Sequence, residues 1–155
     1  MAKINVGTGY SVNKNAFAAG KEAAEMALKA LGKPKPTISY VFFAGDYDAN
    51  ELSAGVKSVF KDSEFIGGSA DAAYYNDKVM RKGIAIASIE SEYLHVGVAS
   101  NDNVSKDPHG VAKKTIIDAL AKISIDKYVD PYLLFTRMRK GSMKEMVKHP
   151  SFYVQ

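Results

Sequence analysis

Between Ile4 and Ile66 the chain alternates strand-like and helix-like stretches, and that order leaves few folds open to it. Ile4-Asn5-Val6 reads as a short central strand. After a Gly7-Thr8-Gly9 turn, Asn13 or Asn15 can cap a helix running to about Leu31, since either side-chain oxygen can accept from a free N–H of the first turn. On that helix Phe17, Gly20, Ala24, Leu28 and Leu31 share one face, and Lys21, Glu25 and Lys29 lie on another. The buried side is mostly Gly and Ala, so the helix can sit close to whatever it covers. Gly32 ends it, and Lys33-Pro34-Lys35-Pro36 prevents its resumption.

Ile38 to Phe43 is a near-continuous apolar run, as expected of a strand buried on both faces. Asp48-Ala49-Asn50-Glu51 has the form of a capping box, and Leu52, Val56, Val59 and Phe60 supply the stripe of a second helix. Asp62-Ser63 breaks that helix before a third strand, Glu64 to Ile66. Strand–helix–strand–helix–strand implies right-handed crossovers and a parallel core. The pattern then changes. Ala70 to Lys82 reads as a polar loop carrying Tyr74 and Tyr75. Ile84 to Ile89 and Tyr93 to Ser100, split by Glu90-Ser91-Glu92, have the spacing of an antiparallel hairpin. Asp107-Pro108 opens a last helix, on which Ala112, Ile116, Ala119, Leu120 and Ile123 line one face. The expected fold is α/β, with a mixed sheet parallel around its first three strands, an antiparallel hairpin, and helices packed on the sheet.

At 155 residues the chain suits a single domain with one real core. Its tail echoes its middle. Tyr132-Leu133-Leu134-Phe135 resembles Tyr40-Val41-Phe42-Phe43, and Ser151-Phe152-Tyr153-Val154 resembles Ser63-Glu64-Phe65-Ile66. Residues 130–155 thus read either as the start of a second repeat or as the end of an incomplete domain, although any two strand–helix–strand units look somewhat alike. A strand edge at Ser151 to Val154 offers a place for another chain, including a second copy, to pair.

The chain contains no cysteine, which excludes disulfides, zinc–thiolate sites and thiol nucleophiles. A net charge of +4 is spread among acids rather than gathered on one element, so specific nucleic-acid binding is not expected. No apolar stretch approaches the length of a membrane span and no secretory leader is visible, so a cytoplasmic location is expected.

Function reads most clearly at Glu64-Phe65-Ile66-Gly67-Gly68-Ser69-Ala70-Asp71, where an apolar run enters two glycines and a hydroxyl. Val6-Gly7-Thr8-Gly9-Tyr10-Ser11 and Phe43-Ala44-Gly45-Asp46 end in similar small residues, which suggests one crevice floored by main chain. Gly7-Thr8-Gly9 ahead of a helix can hold an anionic group on backbone N–H groups, or it can be a purely structural turn. The third glycine of a dinucleotide fingerprint is absent near Val12, which weakens a nucleotide reading even with Asp46 after the second strand. Ser69 as a nucleophile would need His95, His109 or His149 as base, and none stands in a recognisable arrangement. Asp46, Asp48 and Asp71 could meet around a hard cation, but capping and turn roles explain them more simply, and no metal or cofactor is expected. Tyr10, Tyr47, Tyr74 and Tyr75 either wall a small-molecule pocket or cover sheet edges.

Taken in order, several stretches resemble the N-terminal part of the FIST family of sensory domains. They are Val6-Gly7-Thr8-Gly9-Tyr10-Ser11, Ala19-Gly20-Lys21-Glu22-Ala23-Ala24, Phe42-Phe43-Ala44, Leu52-Ser53-Ala54-Gly55-Val56 and Phe65-Ile66-Gly67-Gly68-Ser69. The resemblance covers about Val6 to Leu120. It implies a non-catalytic sensor for a small polar ligand such as an amino acid, with a signalling partner or a second FIST domain beside it. Two departures stand out: Gly68 occupies a place where members often carry cysteine, and Ala72-Ala73 one where they often carry Gly-Glu. In this reading the ligand meets backbone N–H groups at Gly7, Thr8, Gly9, Tyr10 and Ser11 and at Gly67, Gly68 and Ser69. Asp46 or Asp71 then meets a cationic group. A nucleotide- or phosphate-binding domain and a Ser69-dependent hydrolase are the alternatives.

Overall fold

The computed structural model describes residues 4–123, and they form an α/β arrangement of a mixed four-stranded sheet, three helices and a small separate hairpin. In chain order the elements are β1 (Asn5–Ser11), α1 (Ala16–Leu31), β2 (Ile38–Ala44), α2 (Ala49–Phe60), β3 (Glu64–Ser69), β4 (Ala73–Tyr75), β5 (Lys78–Met80), β6 (Gly83–Glu90) and α3 (Pro108–Leu120). The repeat read at residues 130–155, its strand edge, and His149 lie outside the described residues.

The strand order is β1-β6-β2-β3, and only β2 and β3 pair in parallel. The expected parallel run of three strands is therefore wrong, because β6 lies between β1 and β2 and is antiparallel to both. The reason lies in what each strand can bury. On the helix side β6 presents Ile84 and Ile86, both almost fully buried, with Ala85 and Ala87 behind them. A strand that apolar gains most from an interior position. On the same side β1 presents Asn5, Gly7, Gly9 and Ser11, none of them a large apolar residue, so it loses little by taking the edge. The expected hairpin partner, Tyr93 to Ser100, forms no strand. The hairpin that does form lies inside the stretch read as a loop: β4 and β5 pair around Asn76, whose φ of 51° suits a tight turn.

α1 and α2 pack on one face of the sheet and share a core with Val41, Phe43, Ile84 and Ile86. α1 buries Ala16, Ala19, Gly20, Ala23, Ala24, Ala27 and Leu31, while Phe17 is exposed, a correction to the expected stripe. α1 meets β1 and β6 with one side and α2 with another, and small residues serve both contacts. A Cβ added at Gly20 would strike Leu52 O, and one at Gly55 would strike Phe17 O, so the two helix backbones touch reciprocally. The caps follow from sequence. Asn15 Oδ1 accepts from Ala18 N at 2.8 Å, and Asp48 Oδ1 from Asn50 N and Glu51 N at 2.8 and 2.9 Å. α3 has its expected Asp107 cap, but it buries no residue fully and Ala112 is exposed.

The opposite face of the sheet is only partly covered. Ala73 and Met80 of the small hairpin pack on Ala44, with Tyr10, Tyr75 and Ala85 around them, whereas Val6 and Phe42 are exposed.

Candidate ligand groove

Gly7, Thr8 and Gly9 are strand residues, not a turn. Their glycines face α1 so closely that an added Cβ would fall on main chain: Ala27 O and Leu31 N at Gly7, and Ala23 O at Gly9. Glycine here lets a helix approach the strand. Gly67 and Gly68 likewise belong to β3, and a Cβ at Gly67 would strike Val41 O of the neighbouring strand.

The register shows which of the expected residues meet. Gly9, Ile86, Val41 and Gly67 form one row across the sheet, and Ser11, Ile84, Phe43 and Ser69 another. The ends of β1, β2 and β3 thus reach one end of the sheet, as the glycine pattern suggested. However, Ser11 and Ser69 stand three strand spacings apart, about 14 Å. Thr8 lies in the row of Ile66, further down the sheet than Ser69. No single floor of main chain joins the two groups. Asp46, Ser69 and Asp71 are exposed on the β2 and β3 side.

What the fold does build lies at the end of β1 against α1. Ser11 Oγ donates to Glu22 Oε2 at 2.6 Å, and Asn13 Nδ2 donates to Glu22 Oε1 at 2.7 Å. Asn13 N donates in turn to Ser11 Oγ at 3.1 Å. These hydrogen bonds, Ser11 first and then Asn13, hold the Glu22 carboxyl below its ordinary pKa. The carboxylate borders a shallow groove of about 400 Å³ lined by Tyr10, Ser11, Val12, Asn13, Glu22 and Met26. Behind it Tyr47 is buried and donates its hydroxyl to Asn13 O at 2.6 Å. Burial, and then the nearby charge of Glu22, push the Tyr47 phenol up. On the far side of β1, the Tyr10 ring lies 4.4 Å from that of Tyr75, and Lys78 Nζ donates to its hydroxyl at 2.9 Å. Tyr10 therefore links groove and hairpin.

Among the described residues no group of three or more His, Asp or Glu is placed to hold a metal ion. None of their helices is long and apolar enough to cross a membrane. Nor is any described histidine hydrogen-bonded to Ser69.

The family model for the FIST N domain matches residues 2–119 and 37–149. The chain belongs to the FIST family. That places it among domains assigned a sensory or signalling role. No curated protein matches it. Among solved structures it is similar to the FtsZ W319Y mutant of M. jannaschii, with 18% identity, a TM-score of 0.37, and coverage of 57% of this chain and 27% of that one. An empty FtsZ dimer from M. jannaschii gives 18% identity and a TM-score of 0.39 over 60% of this chain and 28% of that one. A HypE–HypF complex gives 13% identity and a TM-score of 0.30 over 80% of this chain and 47% of that one. The chain thus spans little more than a quarter of either FtsZ chain, and nothing those proteins bind is carried over to it.

Of the residues that line this groove, the sequence reading named Tyr10 and Ser11 as ligand contacts, took Asn13 only as a possible helix cap, and gave no site role to Val12, Glu22 or Met26. The available signal was slight: a single acid between Lys21 and Ala23 on a helix otherwise rich in alanine.

Proposed function

We propose that this FIST domain is a non-catalytic sensor that binds a small polar molecule in the groove between the end of β1 and α1. The observation that carries this reading is the Glu22 carboxylate, fixed by Ser11 and Asn13 at the mouth of that groove. Fixed polar groups beside apolar walls orient a small ligand at little entropic cost. Tyr10 gives the output route. A ligand resting on it favours one arrangement of the β4–β5 hairpin, held through Tyr75 and Lys78, and so shifts its population. The hairpin face then reports to a signalling partner or a second FIST domain. The phosphate alternative is weaker, since Gly7 to Ser11 lie in β1 while α1 begins only at Ala16. A thermal-shift screen of amino acids, amines and nucleotides tests the reading. Saturable stabilisation by amino acids or amines, lost in Ser11→Ala, is expected; stabilisation by nucleotides alone overturns it.

A further inference from the structure

Building on that reading, we propose that the groove selects an organic amine with a short apolar body, in preference to a zwitterionic amino acid or an anion. The first ground is charge. Glu22 is ionised at neutral pH, and its two hydrogen-bond partners, Ser11 and Asn13, are neutral donors. No lysine or arginine among the described residues forms a salt bridge with it, although Glu25, one turn along α1, is paired with Lys21 at 3.8 Å. A carboxylate oxygen accepts more than one hydrogen bond, so each Glu22 oxygen keeps acceptor capacity after meeting Ser11 or Asn13. Glu22 is exposed, so an incoming ammonium supplies a countercharge and takes the place of water at its oxygens.

The second ground is what else lines the groove. Of Tyr10, Ser11, Val12, Asn13, Glu22 and Met26, none is cationic. An α-amino acid would bring its own carboxylate into a groove whose lining carries one charge, that of Glu22, and no Lys or Arg; Lys78 reaches the Tyr10 hydroxyl from the far side of β1. Like-charge placement of that kind penalises the wrong ligand as strongly as complementarity favours the right one. Val12 and Met26 are both partly open to solvent and offer apolar surface for a short carbon chain. The groove is open and shallow, so affinity for a small amine is modest and selectivity is the property to measure.

The test uses the full chain, labelled with 15N, and titrates four matched probes: n-butylamine, n-butanol, butyrate and norvaline. n-Butylamine is expected to shift the Ser11, Asn13 and Glu22 amide resonances saturably and to bind at least tenfold more tightly than the other three. Glu22→Gln is expected to remove that preference, whereas Glu25→Gln leaves it intact. Equal binding of butanol, norvaline or butyrate at these resonances overturns the amine selection while leaving the groove as the binding site. Retention of the butylamine preference in Glu22→Gln also overturns it. Binding of the probes only elsewhere on the domain, or not at all, removes both this inference and the groove reading beneath it.

Discussion

Adding a single methyl group at Gly9 tests the packing on which the groove depends. Gly9 is a strand residue, and its φ is not among the positive values in the chain, so alanine can adopt its backbone conformation. What alanine cannot find is room. Its Cβ would fall on Ala23 O and lie 2.6 Å from Ala27 N, both main-chain atoms of α1 that no rotamer change can move aside. Relief requires α1 to lift from β1. Overpacking of a filled interior costs about 1–3 kcal/mol, and an immovable backbone puts this case near the top of that range. Against it, replacing glycine restricts the unfolded chain and returns about 0.4–1 kcal/mol. The net loss is about 2 kcal/mol, which at about 2–4 °C per kcal/mol for a domain of this size lowers the Tm by about 4–8 °C. Calorimetric melts of the wild type and Gly9→Ala measure it directly. If Gly9→Ala melts at or above the wild type, α1 does not rest on β1 through glycine, and the strand belongs to a turn after all.

Three further outcomes follow from the same packing and hydrogen bonds. Ala24 is fully buried, so Ala24→Leu is expected to overpack α1 and cost about 1–3 kcal/mol, an effect refuted by an unchanged melting point. Ser39 and Ser88 are both at 0% exposure and share one hydrogen bond at 2.8 Å, so either single change to alanine strands a buried hydroxyl at a cost of about 1–3 kcal/mol. The double variant Ser39→Ala/Ser88→Ala is expected to be less destabilised than the sum of the singles, and strict additivity in chemical denaturation would show that the pair is not coupled. Because the Glu22 carboxyl is held below its ordinary value in the fold, its contribution is present above the unfolded-state pKa and lost as the pH falls through the folded one. The stability gap between wild type and Glu22→Gln should therefore narrow on acidification below the carboxylate range, and a gap independent of pH would refute the Ser11–Glu22–Asn13 arrangement.

Much of the fold was legible because local chemistry decides it. Asn15, Asp48 and Asp107 announce three helix starts, and the apolar run of β2 and the small-residue face of α1 were both readable from spacing. Strand order was not legible, since the alternation of strands and helices is equally consistent with β6 at an edge or between β1 and β2. Comparing the apolar content of the strands, Ile84 and Ile86 against Gly7 and Gly9, was the physical clue. The hairpin of β4 and β5 escaped because each strand has only three residues, too few for alternation to register. Of the candidate site, Tyr10 and Ser11 border the groove while Asp46, Ser69 and Asp71 lie exposed across the sheet. Sequence alone could not separate them, because a glycine pair that opens a turn and one that admits a helix are written with the same letters.

The glycines nonetheless bear on the groove, by a different physical route. A side chain at Gly7 or Gly9 would hold α1 away from β1, since both positions face helix backbone. With the helix lifted, Glu22 would leave the 2.6 Å reach of Ser11 and the 2.7 Å reach of Asn13, and a carboxylate loose in solvent would no longer be oriented toward the groove. Bare strand positions thus bring a helix down, the lowered helix carries an acid to the strand end, and the strand-end hydroxyl and amide fix that acid. Gly9→Ala should therefore weaken amine binding at the groove even at temperatures where the domain remains folded, although Gly9 does not line it. Full amine affinity in folded Gly9→Ala protein would break this chain of dependence at its first link.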